Sequence, residues 1–541
     1  MSDDATTVYE TLGDEPDRGS GGAGRGFPVV PVIAVVLALV LGGSAFAAYK
    51  LLHSSGAQPA EALPADTFAV VSFDLDPSAG QKVEAIKTLR KFPGFKKEVG
   101  LDSDDDLREF FVKKLIEEGD CTDVSYARDV EPWLGKRAAF GGVDLGEDQP
   151  APVIALQVSD TAGAKAGFAK LVDCAEPGDD FGFTVGEEYL IASDSTEHAK
   201  QIAADAAKKS LAADASYQRW TDEVGDAGVV NVYVSEGAKD LLLQAMDQFG
   251  QGFEQGFRGE MGGELSGMSG SDEESRKMLE DQLKDFEGLA AALRFADGGM
   301  ELAVVGKGID GYTGSGKAGA VGDLPADTAA LLALSVPDDI VESTLDQLRA
   351  TFGDDVDSGV QEFEAQTGLT VPEDVQALLG DTLSLSLGGK APENLNDIAS
   401  PADVPFGLLI SGDADRIEEV IAKIEQSTGA SLEDMQVVHQ QADDKVVLAS
   451  SEDYADELLE GGKLGSEDRF TEAVPEAEKA GSVLFVDFNS DWTDAVVRTY
   501  EADTGDDGKE LEENLEPLGA LGISSWMDGE NSRILLKLTT D

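Results

Sequence analysis

The sequence predicts an α+β protein of two homologous domains, each a mainly antiparallel sheet with helices packed on it, behind one N-terminal transmembrane helix. Three observations carry this. The pentapeptide LPADT stands at residues 63–67 and again at 324–328, and each copy opens a stretch whose later segments match in the same order. Apolar runs of strand length come in neighbouring pairs joined by short turns, the mark of antiparallel pairing, with patterns of helical period between them. Ahead of both copies, residues 27–48 are almost wholly apolar and carry no charge.

Taken in chain order, residues 1–26 are rich in Gly and acids, with Arg18 and Arg25 as their bases, and predict a disordered cytoplasmic tail. The transmembrane helix is set at residues 27–52, because at 1.5 Å per residue its apolar run crosses a hydrocarbon core of about 30 Å. Ala45-Phe46-Ala47 has the form of a signal-cleavage site, so removal of this segment stands as the alternative. Arg18 and Arg25 face Lys50 across the span, which gives little charge asymmetry. Orientation therefore rests on a short tail inside and the C-terminal bulk outside.

The first domain is placed at residues 61–307. Its strands are expected at 68–73, 138–143, 153–158, 181–185, 189–192, 229–234, 289–295 and 301–305, and its helices at 78–92, 104–118, 162–172 and 196–209, lying over one sheet face. The second domain, 323–541, is its diverged copy. Residues 130–142 parallel 375–389, 152–171 parallel 405–424, 188–193 parallel 445–450, 214–234 parallel 467–486, and 289–305 parallel 518–536. A period of more than two hundred residues is too long for a solenoid repeat. In each LPADT, Pro fixes the backbone before a strand and the Asp and Thr close a turn, which needs no catalytic role. Residues 308–322 form the linker. Within them GYTGSGK at 311–317 imitates a phosphate loop, but Ala318 stands where the magnesium-binding hydroxyl belongs and no helical pattern follows.

The first copy carries an insertion at about residues 244–285. Phe249, Phe253, Phe257 and Met261 recur there every fourth residue, which would align them on one helix face, yet the interleaved glycines cost about 1 kcal/mol each in a helix. A loop packed on its own domain is the first reading, and a cover over an apolar pocket or a partner-binding helix are the alternatives. Cys121 and Cys174 are the only cysteines. In an oxidising exterior they are expected to pair, closing a loop of about fifty residues worth roughly 4 kcal/mol in the chain-entropy model. No His lies beside either to support a reactive thiol or a metal ligand.

A formal charge of −65 repels nucleic acid and anionic headgroups. The three histidines, His53, His198 and His439, form no metal motif, and no GxSxG elbow occurs. Asp102, Asp104 and Asp106 have calcium-loop spacing but lack the turning Gly and the closing Glu; with the acidic run 503–513 they read as helix N-termini. No catalytic, cofactor or metal residue is nominated.

The apolar span, the stretch ALPADTFAVVSFDLDPSAGQK at residues 62–82 and LRKFPGF at 89–95 together resemble an uncharacterised actinobacterial family of single-pass membrane proteins carrying a domain of unknown function. That resemblance implies location and architecture and brings no activity or cofactor with it. The expected function is a non-catalytic, membrane-anchored extracytoplasmic binding or scaffold protein of the cell envelope, with an envelope protein or an apolar ligand as partner. The alternatives are a carrier or sensor of a lipid-like ligand with the insertion as its cover, and a carboxylate-dependent envelope hydrolase for which no acid pair can be named.

Overall fold

The computed structural model describes residues 58–541 apart from 75–83, 86, 94–107, 110–111, 114–115, 117–122, 148, 175–180, 240–282, 297, 310–315, 320, 354 and 505. The tail, the apolar run at 27–48, His53, Cys121, the Asp102 to Asp106 cluster and the Phe249, Phe253, Phe257 and Met261 stripe lie outside the described residues. Among those described, no helix is long and apolar enough to cross a membrane.

Among the described residues eight strands fall in the first half: β1 (Thr67–Asp74), β2 (Leu134–Val143), β3 (Ala151–Val158), β4 (Gly182–Val185), β5 (Tyr189–Ser193), β6 (Val230–Ser235), β7 (Gly288–Ala296) and β8 (Gly299–Lys307). Eight more follow: β9 (Ala330–Ser335), β10 (Thr382–Leu387), β11 (Phe406–Ser411), β12 (Val438–Ala442), β13 (Lys445–Ala449), β14 (Ser482–Asp487), β15 (Leu518–Asp528) and β16 (Asn531–Thr540). All sixteen join one antiparallel sheet. Read outward from its centre, one side runs β8-β7-β6-β1-β2-β3-β5-β4 and the other β16-β15-β14-β9-β10-β11-β13-β12, so the same order occurs twice.

The halves meet through their last strands, with Met300 opposite Leu538 at one end and Ser532 opposite Gly306 at the other. Gly299 and Asn531 each open the second strand of a hairpin, and the fourth residues beyond them, Ala303 and Leu535, face each other. Each is the other's counterpart, so a local two-fold axis passes between them.

The eight strands expected in the first half all form, because their runs combine β-branched and small apolar residues with turn residues at each end. Helices α1 (Thr161–Cys174) and α2 (Thr196–Lys208) follow the predicted amphipathic patterns, and α3 (Ala215–Val224), which was not among the expected helices, forms beside them. They do not share one face, as the sequence reading had it. Ala199 and Ile202 of α2 and Trp220 of α3 pack with Val153, Ala155 and Ile191 on one side, while Ala164 and Phe168 of α1 pack with Leu190 and Ala192 on the other. Every residue of β5 is buried, which only a strand covered on both faces requires.

In the second half lie α4 (Ile340–Phe352), α5 (Asp355–Thr367), α6 (Glu373–Leu379), α7 (Ala414–Thr428), α8 (Glu452–Glu460), α9 (Asp468–Ala473), α10 (Asp491–Thr504) and α11 (Asp506–Leu515). Helices α8 and α9 cover one face through Tyr454, Leu458 and Phe470, and α7 covers the other through Ile417 and Ile421. The region read as a flexible linker is packed where it is described. Ala318 and Val321 are buried in the second half's core, and the Ala318 amide donates to the Ala480 carbonyl at 2.7 Å.

Strand pairing also corrects two of the parallels by one residue. Pro152 lies opposite Gly142, and Phe406, not Pro405, lies at the matching place opposite Leu387. Ile191 pairs with Ala155 as Val447 pairs with Leu409, whereas aligning the shared Ala-Ser of EYLIAS and KVVLAS would match Ile191 to Leu448. A one-residue slip exchanges the two faces of a strand, and here burial on both faces hides the alternation that would have exposed it.

Candidate functional site

Both LPADT turns are built alike. The Thr67 hydroxyl donates to the Pro64 carbonyl and the Thr328 hydroxyl to the Pro325 carbonyl, each at 2.7 Å and buried. The Leu63 carbonyl accepts from the Leu211 amide and the Leu324 carbonyl from the Leu464 amide, tying each turn to the segment before α3 or α9. The motif is a structural corner.

A second duplicated device escaped the sequence reading. Asp129 and Asp374 are the residues just before the matched segments that begin at Val130 and Val375, and both are buried. Asp129 accepts from the Ser125 amide at 2.9 Å and pairs with Lys170 of α1 at 2.5 Å. Asp374 accepts from the Thr370 amide at 2.7 Å and pairs with Lys423 of α7 at 3.1 Å and with Arg416. Arg128, then Lys170 and the Ser125 amide, hold the Asp129 carboxyl well below the usual range. Burial pushes the Asp374 carboxyl up, but the Thr370 amide and Lys423 outweigh it and the net direction is down. A hydroxyl residue followed four positions later by Asp, at the start of each matched block, was the available signal.

The clamp at Asp374 fixes α6 against α7, and α4 is held to α6 through Gln376, whose Nε2 donates to the Pro337 carbonyl at 3.0 Å. Between these fixed points α4, α5 and α6 enclose a groove of about 620 Å³. Leu345 and Leu348 of α4, Val360 and Phe363 of α5, and Val375 and Leu379 of α6 line it. Its one hydroxyl, Thr344, already donates to the Ile340 carbonyl at 2.6 Å. None of the described residues of α4 and α5 is fully buried, and Phe363 is 42 % exposed. These helices therefore turn a continuous apolar lining toward a space that the protein leaves open.

The first half is different at the matching place. Val71 and Leu332 are each the eighth residue after the leucine of their LPADT. Val71 is 5 % exposed beneath the helical residues Ala85 and Leu89, whereas Leu332 is 40 % exposed. Leu332 faces Leu385 on β10 and Leu484 on β14, and Leu484 faces Ile523, so a partly exposed apolar row crosses the sheet. The row continues through Leu408 to the face on which α7 packs.

A second cleft, of about 430 Å³, is polar and lined in part by Asp327, Lys390, Asp403, Asp453 and Glu457. The Ser400 and Ala399 amides hold the Asp403 carboxyl below its usual range, which suits an ionised helix cap and not a proton donor. His198 contacts Asp194 and His439 contacts Glu418, each at 2.6 Å and in different halves. Among the described residues no group of three or more His, Cys, Asp or Glu is arranged to hold a metal ion. Cys174, at the end of α1, is disulfide-bonded.

No curated protein and no solved structure matches the chain. The model of a family described as protein of unknown function, DUF3352, matches residues 31–493. With most of its length inside that match, the chain belongs to the DUF3352 family.

Proposed function

We propose that this is a non-catalytic, membrane-anchored binding protein of the cell envelope, its bulk outside the membrane, which takes an apolar ligand in the groove between α4, α5 and α6. The groove itself carries the proposal: about 620 Å³ of apolar lining in which the single hydroxyl is already satisfied. The uncharged run at 27–48 supplies the anchor, and the family match begins inside it. A disulfide at Cys174 suits an oxidising exterior, and Cys121 is the one other cysteine available in the chain to close it. The repeated strand order and the axis between Ala303 and Leu535 support descent of both halves from one unit. On this reading the copies have diverged in use, with the first closed by its own helix and the second left open for a ligand.

The test is binding of the neutral fluorescent probe N-phenyl-1-naphthylamine to the purified full-length protein. Phe363→Asp places a charge in the lining at a position that folding leaves exposed, and should weaken binding at least about tenfold while melting stays within a few degrees. Equal binding by the variant, or no binding by the wild type, would remove the groove from consideration.

A further inference from the structure

The charge around the groove narrows what can enter it. Residues 338–379, which form α4 to α6 and their connections, hold eleven acids and one base, Arg349. That base is already committed, with Asp346 at 3.0 Å and Asp357 at 2.9 Å. Asp374 is neutralised from α7, but Glu342, Asp355, Glu362 and Glu373 have exposed side chains without a cation from these helices. An apolar lining is thus carried on helices of strongly negative charge. A ligand must present hydrocarbon to the first and avoid a net negative charge at the second.

Position adds a source. Nine residues, 49–57, separate the apolar run from the first described residue, a reach of at most roughly 35 Å when fully extended. If the run is the anchor, Gln58 stays within that reach of the bilayer surface, and the groove, carried on the same continuous sheet, can be turned toward it. We infer that the groove accepts the acyl chain of a membrane lipid whose head carries no net negative charge, and discriminates against anionic lipids by the field of the acids on its three helices. This rests on the apolar-binding reading above and adds the class of lipid to it. The discrimination is electrostatic and exposed, so salt must weaken it: the screening length falls from about 10 Å at 0.1 M to about 3 Å at 1 M.

The experiment puts the photo-crosslinker p-benzoylphenylalanine in place of Phe363 in the full-length protein, held in nanodiscs of equal phosphatidylcholine and phosphatidylglycerol with matched acyl chains. After irradiation the attached lipid is identified by mass. Phosphatidylcholine adducts should exceed phosphatidylglycerol adducts about tenfold in 20 mM NaCl. The ratio should fall toward about two in 0.5 M NaCl, and Glu342→Gln with Glu362→Gln should lower it already at low salt. Equal adducts in every condition would overturn the head selectivity while leaving the groove a lipid site. Crosslinks only to a second copy, or only to residues 27–48 of the same chain, would show a different occupant and overturn both readings, as would the absence of any adduct.

Discussion

Asp129 and Asp374 each place an ionised carboxylate in the interior, and each survives there because an amide four residues earlier and a lysine on the helix after the third strand meet it. Lys170 and Lys423 keep part of their length in solvent, so the pair costs less desolvation than one buried at both ends. The recurrence of the whole arrangement in both halves shows that it belongs to the unit and not to either half's function. Asp374→Asn should lower the free energy of unfolding by about 2 kcal/mol at pH 7, because the amide accepts more weakly and Arg416 and Lys423 are left with Glu419 alone as counter-charge. The pH dependence follows from the direction of the shift. With the folded carboxyl below the unfolded value of about 3.9, its contribution is complete above about pH 5 and is lost as pH falls through the folded value. Urea titrations of wild type and variant should therefore show their gap shrinking between pH 5 and pH 2.5. A gap that stayed constant across that range would mean the charge does not matter there.

At the scale of elements, the two copies differ most in what covers the sheet between the first and second strands of each unit. In the first half Ala85 and Leu89 lie on Val71 and Phe73; in the second, α4 and α5 pack with each other and with α6 and α7, and Leu332 is left open. Val71→Thr buries a hydroxyl in a closed apolar layer and should cost about 1–3 kcal/mol, whereas Leu332→Thr, at 40 % exposure, should cost less than about 1 kcal/mol. Denaturation of the two variants side by side measures the asymmetry, and equal losses would mean that the second half is covered too. This difference was not legible in the sequence. Strand runs such as VVNVYV and helix patterns such as that of α2 are local signals, and they placed the elements well. Which sheet face a helix takes depends on packing between distant segments, so the expectation of one covered face failed. The groove was equally hidden: Leu345, Leu348, Val360 and Phe363 have the spacing of the apolar stripes of ordinary packed helices, and only the missing partner surface distinguishes them. The buried Asp374 stood beside a matched block and could have been found, but an acid in so acidic a chain carries little weight until its burial is known.

For the molecule as a whole, the seam between β8 and β16 makes one body of what the sequence divides in two. Seven residue pairs join the strands, and Leu536 of the second half packs against the first half's core with Leu302 and Phe295. Side chains cross the seam as well: Arg533 pairs with Glu223 of α3, Arg219 of α3 donates to Asn531 at 3.1 Å, and Lys307 reaches Glu530 at 3.0 Å. Strands β8 and β16 would each be an apolar sheet edge if the halves parted, an exposure that isolated domains avoid. Unfolding of either half should therefore draw the other with it. Calorimetry of the wild type should give a single transition, with the calorimetric enthalpy equal to the van't Hoff enthalpy. Trp492 and Trp526 lie in the second half, so a W492F/W526F variant leaves Trp133 and Trp220 to report the first half alone. Its fluorescence midpoint in urea should coincide with the midpoint of its far-ultraviolet circular dichroism, which reads both halves. Leu535→Pro weakens β16 at the local axis by removing a ladder hydrogen bond, and should separate the single transition into two. Two transitions in the wild type itself would instead show that the halves are energetically independent, and the seam would then be a contact between domains and not the centre of a continuous sheet.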